Sequence, residues 1–127
     1  MDFGNIPEIV RKWRSKVNAA TQIIVCTPEY LHNIPAILKN SLEWLSSSGE
    51  MVNKPVLAIT LTPSPPRGQY AMISLLNTLK ALDAVVIAQL VFYVSELSQS
   101  DDGLWNDETT TLFNEQKSFL FPHFGKL

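Results

Sequence analysis

The sequence predicts an α/β domain built on a parallel β-sheet with helices on each side. Three observations carry this expectation. The runs 22–27, 55–61 and 84–92 are short, continuously apolar and rich in β-branched residues, as strands buried on both faces are. The segments between them repeat apolar residues at helical spacing. Helix and strand alternate along the chain as αβαβαβα, and such alternation builds parallel sheets with right-handed crossovers.

The elements follow in order. After a lead-in over 1–6, Ile9, Val10, Trp13 and Val17 recur on one side of a helix at about 7–18. Arg11, Lys12, Arg14 and Lys16 take the other side, and Pro7 suits the first turn. The first strand, 22–27, ends in a loop, Pro28-Glu29-Tyr30-Leu31-His32-Asn33. Pro35 opens a second helix with Ile34, Leu38, Leu42 and Leu45 on its apolar face, and Ser46-Ser47-Ser48-Gly49 ends it. The second strand, 55–61, starts with Pro55, where no ladder donor is needed. Thr62-Pro63-Ser64-Pro65-Pro66-Arg67-Gly68 is too rich in proline for regular structure. Met72, Leu75, Leu76, Leu79 and Leu82 mark a third helix. The third strand, 84–92, is followed by a polar loop over 95–103. A fourth helix is expected over about 107–120, with Asp107 as N-cap.

Composition narrows the function. The 127 residues make one domain, 1–127, large enough for a real core. Lys and Arg number 10 against 12 Asp and Glu, with no basic run, so a nucleic-acid binder is not expected. A single cysteine excludes a disulfide framework and a multi-cysteine metal site, and no stretch is long enough to cross a membrane. Met1-Asp2-Phe3-Gly4-Asn5 has neither the basic nor the apolar region of a signal peptide. The setting expected is cytoplasmic and reducing. Cys26 lies in a strand read as buried and is expected to be an inert apolar residue. Trp13 and Trp44 are expected to pack, and Asp101, Asp102, Asp107 and Glu108 fit no calcium loop.

In parallel α/β sheets ligands sit outside the carboxyl ends of the strands. Two loops leave those ends, 27–34 and 62–69, and any ligand is expected between them.

The first of these loops carries a specific resemblance. Thr27-Pro28-Glu29-Tyr30, Ile34-Pro35, Leu38-Lys39-Asn40 and Glu43-Trp44 resemble the pattern T-P-E-Y-N-x-x-I-P-x-x-L-K-N-x-x-D-W of the NAD(P)H-dependent FMN reductases. These are flavodoxin-like proteins that include quinone and azo-dye reductases. Lys54-Pro55-Val56 and Leu79-Lys80-Ala81-Leu82-Asp83-Ala84 keep the family's order, and the resemblance covers about residues 7–95. It implies a flavodoxin-like three-layer sandwich, FMN and NADPH or NADH as cofactors, and a small-molecule electron acceptor. It also implies that Pro28, Glu29, Tyr30, Leu31, His32 and Asn33 line the flavin ring, largely through backbone groups. Thr62, Ser64, Arg67 and Gly68 would cover the ring's pyrimidine side, with Arg67 a candidate for a phosphate of FMN or NADPH. Because the flavin carries the hydride chemistry, neither a catalytic acid–base set nor a metal is expected.

The sequence departs from the family pattern in three places. Leu31 and His32 stand where the family has Asn and Gly. Pro63, Pro65 and Pro66 stand in a loop that is usually rich in Gly and Ser. The chain begins where the family is already at its second helix, so three strands and four helices are expected in place of the five-stranded fold, without the loop that cradles the FMN phosphate. On this reading the first strand is an exposed edge, expected to be covered by another copy of the chain in a homodimer or homotetramer, or by a preceding segment. An alternative to the reductase is a non-catalytic flavodoxin-like remnant acting as an oligomeric interaction module. A one-electron carrier is a third option, against which Pro28-Glu29-Tyr30 argues.

Overall fold

A computed structural model describes residues 4–97, 102, 103, 107, 110, 111, 114 and 115. Among them are three α-helices, α1 (Glu8–Ala19), α2 (Ala36–Glu43) and α3 (Gln69–Ala81), and three strands, β1 (Ile23–Thr27), β2 (Pro55–Thr62) and β3 (Val85–Tyr93). A 3-10 turn, Val94–Glu96, follows β3. The strands lie parallel in the order β1-β2-β3, with Val25 opposite Ala58 and Thr60 opposite Val91. Most of the helix expected over 107–120 lies outside the described residues.

Strand order equal to chain order has a consequence. Two right-handed crossovers that step in the same direction put α2 and α3 on one face of the sheet. The core sits there. Val25, Val56 and Ala58 of the sheet pack with Val17 of α1, Leu42 of α2 and Ala71, Leu75 and Leu79 of α3. Leu75, Leu79, Val56 and Ala58 are wholly buried, and each leucine is worth roughly 2 kcal/mol of removed apolar surface.

α1 is held against α2 by polar ties as well as packing. The Trp13 indole Nε1 donates to Ser41 O at 2.9 Å. The Arg14 guanidinium donates to Trp44 O from Nε at 2.9 Å and from Nη2 at 2.7 Å, which caps the carboxyl end of α2 with a cation. Both tryptophans are therefore interhelical fixtures at the surface, exposed to the same degree.

Exposure along β1 and β3 corrects part of the sequence reading, while β2 is buried on both faces as expected. β1 was expected to be buried on both faces, yet Ile24 is 63% exposed and Cys26 is exposed. No residue of β3 is fully buried. The described helices pack on one face of the sheet; on the other, Leu57 of β2 is buried while its β1 neighbour Ile24 and Cys26 stay accessible. Cys26 is accordingly a surface residue, although partial burial raises its thiol pKa above the ordinary range.

The connections fall into two sets at opposite ends of the sheet. At the amino end, Asn53 N donates to Asp83 O at 2.8 Å and Val85 N to Lys54 O at 2.9 Å. The left-handed positions there belong to Asn53 and Asp83, residues that tolerate such backbone. At the carboxyl end they belong to Leu31, which tolerates it poorly, and His32.

Candidate functional site

The first loop at the carboxyl end is a tight turn. Tyr30 and Asn33 exchange backbone hydrogen bonds, Tyr30 N to Asn33 O at 2.8 Å and Asn33 N to Tyr30 O at 2.9 Å. The two residues between them, Leu31 and His32, have φ of 50° and 59°. Two positive φ values inside such a pair define a type I′ turn, whose preferred sequence is Asn-Gly. Leu31 and His32 thus adopt the backbone that an Asn-Gly pair takes without strain. Leu31 projects fully into solvent. Asn33 Oδ1 accepts from Ile34 N at 2.8 Å, closing the loop where Pro35 starts α2.

The second loop is fixed by a glycine. Gly68 has φ 100° and forms the N-cap of α3. A Cβ at this position would stand 3.0 Å from Thr60 Oγ1 and 3.2 Å from Thr62 Cγ2 and Val91 Cγ1. The backbone can therefore press onto β2 and β3 only without a side chain. Thr62 Oγ1 donates to Arg67 O at 3.3 Å, and Arg67 N donates to Ser64 O at 3.3 Å. The Thr60 hydroxyl, buried beneath Gly68, has no hydrogen-bond partner among the described residues.

Glu29 joins the two loops. Its Oε2 accepts from Gly68 N at 3.0 Å and from Ala71 N at 2.9 Å. These are the N-cap and N3 donors of α3, the two groups a capping box satisfies. A glycine N-cap has no side chain to supply, so a carboxylate from the other loop does so. It also meets the positive end of the helix dipole. A second link lies alongside, where the His32 and Tyr70 rings stack with centroids 4.4 Å apart and planes at 22°.

Together these contacts leave an opening of about 260 Å³ lined by Glu29, Leu31, His32 and Arg67. It brings together residues expected from both loops. Tyr30 stands exposed beside it, and Pro28, Asn33 and Ser64 shape the loops that frame it. Thr62 and Gly68 are buried below, and Thr62 spends its hydroxyl on the Arg67 carbonyl. Tyr70 and Thr60 escaped the sequence reading. The only signal for Tyr70 was its position just after the glycine that opens α3.

The opening suits a flat ring with a polar edge. Among the described residues the backbone N–H groups of Leu31 and His32 have no hydrogen-bond partner, and the Arg67 side chain lies across from them. Free amides at an exposed turn are what a ring edge rich in acceptors requires. No cluster of metal-ligating side chains occurs among the described residues, and no helix there is long and apolar enough to cross a membrane.

The parallel sheet with helices between its strands makes this an α/β domain. Solved structures agree on the fold. The flavoenzyme NAD(P)H:(acceptor) oxidoreductase FerB from Paracoccus denitrificans superposes with a TM-score of 0.68 at 20% identity, covering 91% of this chain and 66% of that one. The NADPH-dependent FMN reductase family matches residues 2–99, and the chain belongs to that family. Among relatives, an NADPH azoreductase of a Bacillus species is 38% identical over 84 residues, which is 66% of this chain and 44% of that protein. The NADH:(hydroxy)cinnamate reductase subunit CrdA of Vibrio ruber is 42% identical over 59 residues, 46% of this chain and 29% of that protein. The chain thus spans less than half the length of these two relatives.

Proposed function

We propose that this chain holds the isoalloxazine ring of FMN between loops 28–33 and 62–68 and serves as an NAD(P)H-dependent flavin reductase. The observation that carries the reading is the convergence of both loops on one opening, with the Leu31 and His32 amides unpaired at its rim. Family membership supports it. In this arrangement the Leu31 and His32 N–H groups donate to the polar edge of the ring. Tyr30 and the His32–Tyr70 stack supply apolar wall, and Arg67 supplies positive charge beside it. Gly68 lets the second loop approach without a side chain in the way. FMN held there would supply two-electron chemistry between NADPH or NADH and a free flavin, a quinone or an azo compound. No side chain of the chain need act as an acid or base for that transfer.

We further assign the protein to the cytoplasm, on the strength of its lone cysteine, and to a homodimer or homotetramer. The open edge of β1, with Ile24 standing out from it, supports assembly. Light scattering tests that part, and a monomer at all concentrations would refute it. The function is tested by mixing the chain with FMN and NADPH and following NADPH oxidation. FMN-dependent oxidation that Tyr30→Ala slows supports the assignment. No FMN binding at micromolar concentration, or FMN binding without turnover, favours the interaction-module reading.

A further inference from the structure

The flavin site proposed above has two halves on separate loops, and one side chain connects them. We propose that Glu29 is a positioning residue for flavin binding, which acts by fixing the Arg67–Gly68 segment against loop 28–33. This inference rests on the flavin-site reading and deepens it.

The geometry makes the case. Both α3 donors that Glu29 engages lie far away in sequence, 39 and 42 residues on, and among the described residues these two hydrogen bonds are the only ones from loop 28–33 to the start of α3. The contact cannot be supplied locally, because the N-cap is Gly68 and a side chain there would strike Thr60, Thr62 and Val91. Neither Pro63, Pro65 nor Pro66 has an N–H with which to brace the loop. Glu29 lines the opening, but its Oε2 is committed to two backbone N–H groups of α3. Its neighbours in the opening, Leu31, His32 and Arg67, are left to meet the ligand. Binding a flat ring between two loops loses affinity if one loop must first be ordered, because that ordering is then charged against binding.

The test uses the whole chain with Glu29→Gln, Glu29→Ala and, as a control for stability alone, Arg14→Ala. Arg14 caps the carboxyl end of α2, the end away from loop 28–33. Amide hydrogen exchange is measured at Gly68 and Ala71 in the free proteins, and riboflavin affinity is measured at a temperature where circular dichroism shows each protein folded. The expected result is faster exchange at both amides in the Glu29 variants and an affinity at least about tenfold weaker, equivalent to about 1.4 kcal/mol. Arg14→Ala should lower the thermal midpoint and leave the affinity unchanged. Glu29→Gln keeps an acceptor oxygen and the side-chain size, so it decides the matter should Glu29→Ala fail to fold. Unchanged exchange at Gly68 and Ala71 overturns the proposal. So does faster exchange with unaltered affinity, which leaves the flavin site standing and Glu29 as a helix cap alone. A wild-type chain that binds no riboflavin overturns the flavin-site reading, and the positioning role falls with it, whatever the exchange rates show.

Discussion

Replacing Leu31 isolates the backbone cost of the turn at the candidate site. Leu31 is fully exposed and its φ is 50°, so its side chain gains nothing from packing and clashes with its own backbone. A left-handed L-residue costs about 1–2 kcal/mol. Asn tolerates this conformation better through local hydrogen bonding, and Gly bears no such cost but gives back about 0.5–1 kcal/mol through the freedom of its unfolded chain. Leu31→Asn should therefore stabilise the protein by about 1 kcal/mol and Leu31→Gly by about 0.5 kcal/mol. Leu31→Ala keeps the Cβ and should be neutral. Urea midpoints at constant slope measure the differences, and a gain of 1 kcal/mol corresponds to a rise of roughly 3–5 °C in thermal midpoint at this length. The order Asn, Gly, then Ala equal to Leu is the expected result. An alanine variant as stable as the glycine one would show that the turn carries no φ strain and refute the reasoning.

Three further outcomes follow from the same geometry. Gly68→Ala combines a φ of 100° with a 3.0 Å approach to Thr60 Oγ1, so a loss of about 3 kcal/mol is expected in denaturant unfolding, and a loss under 1 kcal/mol would contradict the close approach. Thr60→Val removes a buried hydroxyl that has no partner among the described residues and keeps its shape, so stability should rise by about 1 kcal/mol; a fall would mean the hydroxyl is satisfied. The Cys26 thiol is exposed yet its pKa is raised by partial burial, so less thiolate is present at any given pH. Its alkylation should be complete but slower than that of a small free thiol at pH 8, with the rate still climbing at higher pH, and faster alkylation would contradict the direction of the shift.

Much of the fold was legible because its strands are short, continuous and β-branched. The expected runs 22–27, 55–61 and 84–92 match β1, β2 and β3 to within a residue at each end. The two candidate ligand loops followed from topology alone. What an apolar run cannot say is which of its faces a helix covers, and that is why Ile24 and Cys26 were expected inside and stand outside. The role of Glu29 was illegible for a different reason, since its partners Gly68 and Ala71 are distant in sequence and are backbone groups without identity. Leu31-His32 carries no turn signal of its own. The family resemblance held the clue, because an Asn-Gly pair is the preferred occupant of a type I′ turn.

The central claim is that loops 28–33 and 62–68 grip a flavin ring between them. Its most direct test is a titration of the isotopically labelled chain with FMN, reading amide shifts residue by residue. The account predicts saturable binding at micromolar FMN, about −8 kcal/mol, with the largest shifts at Leu31, His32, Arg67 and Gly68. Shifts confined to one loop, or none at FMN concentrations of about 100 μM, would contradict it.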